Sequence, residues 1–272
     1  MSRISSQIAA AQAVKRKLLI PYLVAGDPNF DLTLKLMHQL VADGADIIEL
    51  GMAFSDPSSD GPVIQQGAER ALANGSSLNK VLDLVAQFRQ SDNATPIVLM
   101  GYLNPVEIMG YEKFVARAKV CGVDGVLLVD MPPSESTQLH KMLRESEIDT
   151  IYLVAPTTSD ARAKSIVAHS SGYLYYVSLK GVTGAAFTDY ASVSASIDKL
   201  RKLTELPIVV GFGIKDPQSA AAMAVNADGV VIGSALVSEI AKIPAGTGVD
   251  DFHPQATTAM IALVRKKLDT LN

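Results

Sequence analysis

The sequence predicts an α/β protein, a single-domain (β/α)8 barrel of the TIM type over residues 1–272. Three observations predict it. Short apolar runs alternate with stretches of helical spacing eight times along the chain, which is how a parallel sheet with crossover helices reads. The runs are apolar on both alternating faces, as in Ile47-Ile48-Glu49-Leu50-Gly51-Met52, the pattern of strands covered on both sides. No shift of composition marks a domain boundary, and a doubly wound open sheet would usually stop at about five to seven strands.

Taken in order, residues 2–14 read as an Ala-rich extra helix ahead of the repeat. Strand one is Leu18 to Ala25. Asp27, followed by Pro28, reads as the N-cap of a helix continuing from Asp31 to Ala42. Strand two is the run ending at Met52, and Val63–Asn74 and Leu78–Gln90 supply its crossover helix and an extra one. Strand three is Pro96–Gly101, with helical residues at Pro105–Ile108 and Tyr111–Val120. Strand four, Gly125–Val129, stops at Pro132-Pro133, and a helix follows through Leu143. Strand five is Thr150–Ala155 with a helix over Asp160–Ala168, and strand six is Tyr173–Leu179 with a helix over Ser192–Leu203. Strand seven, Ile208–Val210, precedes a helix that starts at Asp216-Pro217 and runs to Val225. Strand eight, Gly229–Ile232, leads into a short helix to Ala241 and an extra amphipathic helix over Pro254–Leu268.

Composition excludes several classes of function. A net charge of −4 with interspersed signs gives no electrostatic case for nucleic acid or an anionic membrane. The one cysteine, Cys121, excludes an internal disulfide framework and reads as a small buried hydrophobe. His38, His140, His169 and His253 lack ligand spacing, so no metal site is expected. No apolar run reaches membrane-spanning length and no signal-peptide core opens the chain, so a cytoplasmic protein is expected.

In a barrel of this kind the strand C-termini share one rim, and the chemistry-bearing residues gather there. Glu49 interrupts an otherwise apolar strand, and a carboxylate in a dry interior needs a partner, water or a job. The following loop, Ser55-Asp56-Pro57-Ser58-Ser59-Asp60-Gly61-Pro62, is dense in turn formers and carries Asp60. Two carboxylates flanking one strand end suit acid–base work. Gly181 and Gly184 follow strand six, Gly211 and Gly213 follow strand seven, and Gly233-Ser234 opens the short helix after strand eight. Three small-residue loops at one corner suit a phosphate. Tyr22, Leu99 or Met100, Leu127 or Leu128, Leu153, Tyr175 and Phe212 could enclose a flat apolar group. There is no P-loop and no Gly-x-Ser-x-Gly elbow.

These residues form recognisable motifs: Glu-Leu-Gly-Met at 49–52, Phe-Ser-Asp-Pro at 54–57, Asp-Gly-Pro at 60–62, Met-Gly-Tyr-Leu-Asn-Pro at 100–105, Gly-Val-Thr-Gly at 181–184, Gly-Phe-Gly-Ile at 211–214 and Gly-Ser-Ala at 233–235. In that order and spacing the chain resembles the tryptophan synthase alpha subunit family over nearly its whole length. The resemblance implies reversed-aldol cleavage of indole-3-glycerol phosphate to indole and glyceraldehyde 3-phosphate. It implies no cofactor in this chain, and a pyridoxal-phosphate (PLP) dependent beta subunit as partner in an α2β2 heterotetramer. It implies Glu49 as the general acid/base and Asp60 as the carboxylate facing the indole nitrogen. Thr183 is implied to close toward Asp60, while Tyr22, Met100, Tyr175 and Phe212 line the substrate. Gly184, Gly213, Gly233 and Ser234 are implied to hold the phosphate. The family pattern is broken at Ala53, at Ser58-Ser59 and at Leu179-Lys180, which directs attention to loop closure and partner contact. The rival readings are another phosphate-binding barrel enzyme, expected to carry a strand-end lysine or an Asp pair, and a non-enzymatic activator of the beta chain.

Overall fold

The computed structural model describes residues 2–135, 137–178, 190–211 and 213–271. Its strands are β1 (Leu18–Val24), β2 (Ile48–Gly51), β3 (Ile97–Gly101), β4 (Gly125–Leu128), β5 (Asp149–Thr150), β6 (Tyr152–Val154), β7 (Leu174–Val177), β8 (Ile208–Gly211) and β9 (Gly229–Ile232). They lie in the order β5-β4-β3-β2-β1-β9-β8-β7-β6, and every registered pair is parallel. The two ends of that order, β5 and β6, are consecutive in the chain with only Ile151 between them, so the ring closes through the backbone. The fifth run was expected as one strand. It is split because its first half pairs with β4 and its second with β7, and the Ile151 N–H donates to Val126 O at 3.0 Å at the changeover.

The helices are α1 (Arg3–Ala13), α2 (Phe30–Ala42), α3 (Pro62–Ala73), α4 (Leu78–Phe88), α5 (Leu103–Met109), α6 (Tyr111–Cys121), α7 (Thr137–Glu145), α8 (Asp160–His169), α9 (Tyr190–Arg201), α10 (Pro217–Ala224), α11 (Ser234–Ile240) and α12 (Gln255–Leu268). The extra helices expected before the repeat and after the second and last strands are present, and α5 is a further one after the third. One expectation fails. The N-cap of α2 is Asn29, whose side chain accepts from the Leu32 N–H at 2.9 Å. Asp27 is instead fully buried, gripped by both Arg70 Nε and Arg70 Nη2 at 2.8 Å. A guanidinium fork matched to a carboxylate is worth more than one cap bond, and Arg70 sits on α3, where spacing near Asp27 could not reveal it.

Two apolar layers follow from the alternation of each strand. The outward set packs against the helices, and includes Leu19, Leu23, Leu50, Leu99 and Leu128. The inward set fills the barrel and includes Ile20, Tyr22, Val98, Leu127, Tyr173, Tyr175, Val209 and Val231. Helix α1 closes the bottom of the barrel, with Ile4 fully buried in the inward set. Gly125 makes room for it: a Cβ there would lie 3.0 Å from Ile4 Cδ1 and 2.7 Å from Ile151 Cδ1.

A repeated device braces that lower end. Asp46 Oδ2 accepts from the Leu19 N–H at 2.8 Å, Asp124 Oδ2 from the Ile97 N–H at 2.8 Å, Ser171 Oγ from the Thr150 N–H at 2.9 Å, and Asp228 Oδ2 from the Ile208 N–H at 2.8 Å. Asp46, Asp124 and Asp228, each just before one strand, satisfy the first free amide of the strand preceding it, and Ser171, ahead of β7, does the same for β5, groups that would otherwise be left orphaned.

Candidate active site at the upper rim

The pairing register sets the site. Tyr22 stands opposite Glu49, and Glu49 opposite Val98, so these residues form one inward layer; Gly51 lies one layer higher on β2. Glu49 is fully buried. The Tyr173 hydroxyl donates to its Oε1 at 2.7 Å, while Oε2 has no hydrogen-bond partner among the described residues. Burial disfavours the charged carboxylate more than the tyrosine bond favours it, and the Glu49 pKa is raised to about 7. A carboxyl so placed is a proton donor near neutral pH with one oxygen free to use.

Asp60 is half-buried on the loop after β2. Its Oδ2 accepts from the Tyr102 hydroxyl at 3.1 Å, and burial pushes its pKa up, offset by that bond. Tyr102 also accepts from the Ser59 N–H at 3.0 Å and packs against the Phe54 ring at 5.5 Å between centroids. The loop that departs from the family pattern is thereby fastened to the end of β3 through one phenol. Burial and the neighbouring Asp60 charge push the Tyr102 pKa up to about 12, so this phenol remains a donor.

Two tyrosines frame Glu49 in the same way. Tyr22 on β1 is paired with Glu49 and reaches over Gly51, two residues further along β2. Tyr175 on β7 is paired with Val209 and reaches over Gly211, two residues further along β8. A Cβ on either glycine would collide with the hydroxyl above it, so each glycine is a notch cut for a phenol. Burial, and then charge from Asp60 and Glu49 on Tyr22 and from Glu49 on Tyr175, keeps both phenols protonated by raising their pKa values well above the ordinary one.

Of the apolar alternatives, Met100, Leu127 and Leu153 belong to the inward set, whereas Leu99 and Leu128 face the helices. Gly213 is exposed on the loop after β8 and Ser234 is exposed at the first position of α11, and Gly233 caps the start of α11 beside the Tyr22 ring, 3.5 Å from Tyr22 Cδ1 to a Cβ built there. Thr183, Gly184 and Phe212, with the Leu179-Lys180 departure, lie outside the described residues. Sequence reasoning did not single out Tyr173, which reads as ordinary barrel core, and gave no task to Tyr102. The one available signal for Tyr102 was its place immediately after a strand end. Among the described residues no group of three or more metal-ligating side chains converges, and no helix is long and apolar enough to cross a membrane.

Comparison with known proteins points to one family. The family described as "Tryptophan synthase alpha chain" matches residues 8–267. The tryptophan synthase alpha chain of Methylococcus capsulatus is 53% identical over 272 residues, covering 99% of this chain and 100% of the relative. That of Acinetobacter baumannii is 48% identical over 271 residues, covering all of both. The crystal structure of tryptophan synthase subunit alpha from Legionella pneumophila superposes with a TM-score of 0.90 at 42% identity, covering 99% of each chain.

Proposed function

This chain belongs to the tryptophan synthase alpha chain family, an enzyme family of tryptophan biosynthesis, and we propose on that footing that it cleaves indole-3-glycerol phosphate to indole and glyceraldehyde 3-phosphate. The observation that carries the reading is Glu49, fully buried, with one oxygen held by Tyr173 and the other without a partner among the described residues. In its protonated form Glu49 gives a proton to the indole ring carbon that bears the glyceryl chain, and the ring nitrogen becomes cationic. Asp60, its carboxylate set by Tyr102, faces that developing charge. Glu49, now ionised, takes the proton of the adjacent glyceryl hydroxyl. The carbon–carbon bond breaks, its electron pair returns to the ring and neutralises the nitrogen, and the hydroxyl carbon leaves as the aldehyde. Proton count and charge close, and Glu49 is restored.

Gly213, Gly233 and Ser234, with Gly184, supply backbone amides and a hydroxyl for the phosphate. Met100, Tyr175, Phe212 and Tyr22 enclose the indole, and Thr183 closes on Asp60. The released indole passes to a PLP-dependent beta subunit in an α2β2 assembly, and the chain itself works in the cytoplasm without a cofactor of its own. Steady-state indole release from indole-3-glycerol phosphate, with and without added beta subunit, tests the reading. Turnover in the wild type that is lost in a folded Glu49→Gln variant is expected; release that persists in that variant overturns the assignment of the acid. Failure of either protein to release indole, with beta activation retained, returns the chain to a docking role.

A further inference from the structure

Tyr22 spans the distance that the substrate itself must span. Its ring borders Gly233 at the phosphate corner, and its hydroxyl ends over Gly51, one layer above Glu49 on the same strand face. On the lyase reading, the glyceryl chain of the substrate has to run between the same two points, from the phosphate to the carbon attached to the indole. The phenol therefore ends at the reacting end of that chain, one layer above the Glu49 carboxyl. Burial, and then the charges of Asp60 and Glu49, raise its pKa well above the ordinary phenol value. It is also a permanent donor, because burial disfavours its phenolate.

Resting on the lyase reading above, we propose that Tyr22 is a further catalytic residue: its hydroxyl donates a hydrogen bond to the glyceryl oxygen that becomes the aldehyde. No proton is transferred to or from the phenol. The bond strengthens as Glu49 withdraws the hydroxyl proton and negative charge gathers on that oxygen, which is where a fixed donor helps most. Gly51 belongs to the same device, since any side chain at that position would drive the phenol out of its notch.

Removing the hydroxyl alone isolates this role. Tyr22→Phe keeps the ring, and so the wall of the indole pocket. Indole release is expected to fall about ten- to a hundred-fold in kcat, the scale of one hydrogen bond to a charged group. Binding of an indole-3-alkyl phosphate that lacks the glyceryl hydroxyls is expected to stay within about two-fold of wild type, since its ring and phosphate contacts are untouched. Unchanged turnover in Tyr22→Phe overturns the proposal. So does weakening of the deoxy analogue by as much as the turnover falls, because the hydroxyl would then be shaping the wall rather than meeting the oxygen. Absence of indole release from the wild type, by contrast, refutes the lyase reading itself.

Discussion

The two ends of the barrel use the same residue type to opposite ends. At the lower end, Asp124 is surrounded by donors: Arg3 Nη1 at 2.9 Å, Arg89 Nη2 at 2.6 Å and the Ile97 N–H at 2.8 Å. Asp46 takes the Leu19 N–H, Gln7 Nε2 at 3.0 Å and Arg265 Nη1 at 3.1 Å. At the upper end, Glu49 is equally buried but among the described residues has one neutral donor and one bare oxygen. A carboxylate ringed by cations and amides is spent on holding elements together, and one left short of partners keeps its proton for chemistry. The lower end ties α1, α4 and α12 to the strand starts; the upper end leaves Glu49 underserved where a substrate can complete it.

The largest expected effect sharpens that contrast at the top. Glu49→Gln should lower indole release by about 10²–10⁴-fold, the usual worth of a general acid–base group, while the protein becomes more stable in alkaline solution. The sign follows from the raised pKa. Folded Glu49 holds its proton up to about 7 against an ordinary 4.5, so its ionisation works against folding as pH rises through that window. Glutamine removes that cost, on the order of 3 kcal/mol at pH 8. Denaturant melts of both proteins at pH 5 and pH 8 check it; a variant no more stable at pH 8 than the wild type would break the comparison.

At the bottom the signs reverse. Asp124→Ala strips the buried Arg89 of its counter-charge and should cost about 3–5 kcal/mol in urea unfolding, with kcat per folded molecule unchanged. Ile4→Ala, which opens a hole in the barrel floor, should cost about 2–5 kcal/mol, again without touching kcat. A drop in kcat from either would show that the two ends are not separable. The smallest expected effects lie in the fastening of the loop and in pH. Tyr102→Phe should reduce kcat about ten-fold by freeing Asp60 from its donor, read as a kcat loss at nearly constant KM. The wild-type kcat/KM should decline on the alkaline side around pH 7, where Glu49 loses the proton it must donate, and a profile flat from pH 6 to 9 would remove Glu49 from that role.

Much of this was legible in the chain. Eight apolar runs with helical spacing between them specify the barrel, because a strand buried on both faces and an amphipathic helix leave different periods. Glu49 stood out because a charge in such a run is costly, and Asp60 because it shares that strand end. What spacing could not supply is the identity of partners far apart in sequence. Asp27 was taken for a cap, since it precedes Pro28 and a helix, yet Arg70 claims it. Tyr173 looked like core, yet it is the donor that leaves Glu49 one free oxygen. The split of the fifth strand at Ile151 arises only when the ring closes.

By itself, then, the sequence determined the alternation of elements, the rim on which the acids lie and the family the chain belongs to, because those depend on local periodicity and on motifs read in order. The tertiary structure alone decided which oxygen of Glu49 is bare, which phenol holds Asp60 and which glycines are cut to receive Tyr22 and Tyr175. Those depend on register between strands, which brings residues more than a hundred positions apart, such as Glu49 and Tyr173, within 2.7 Å.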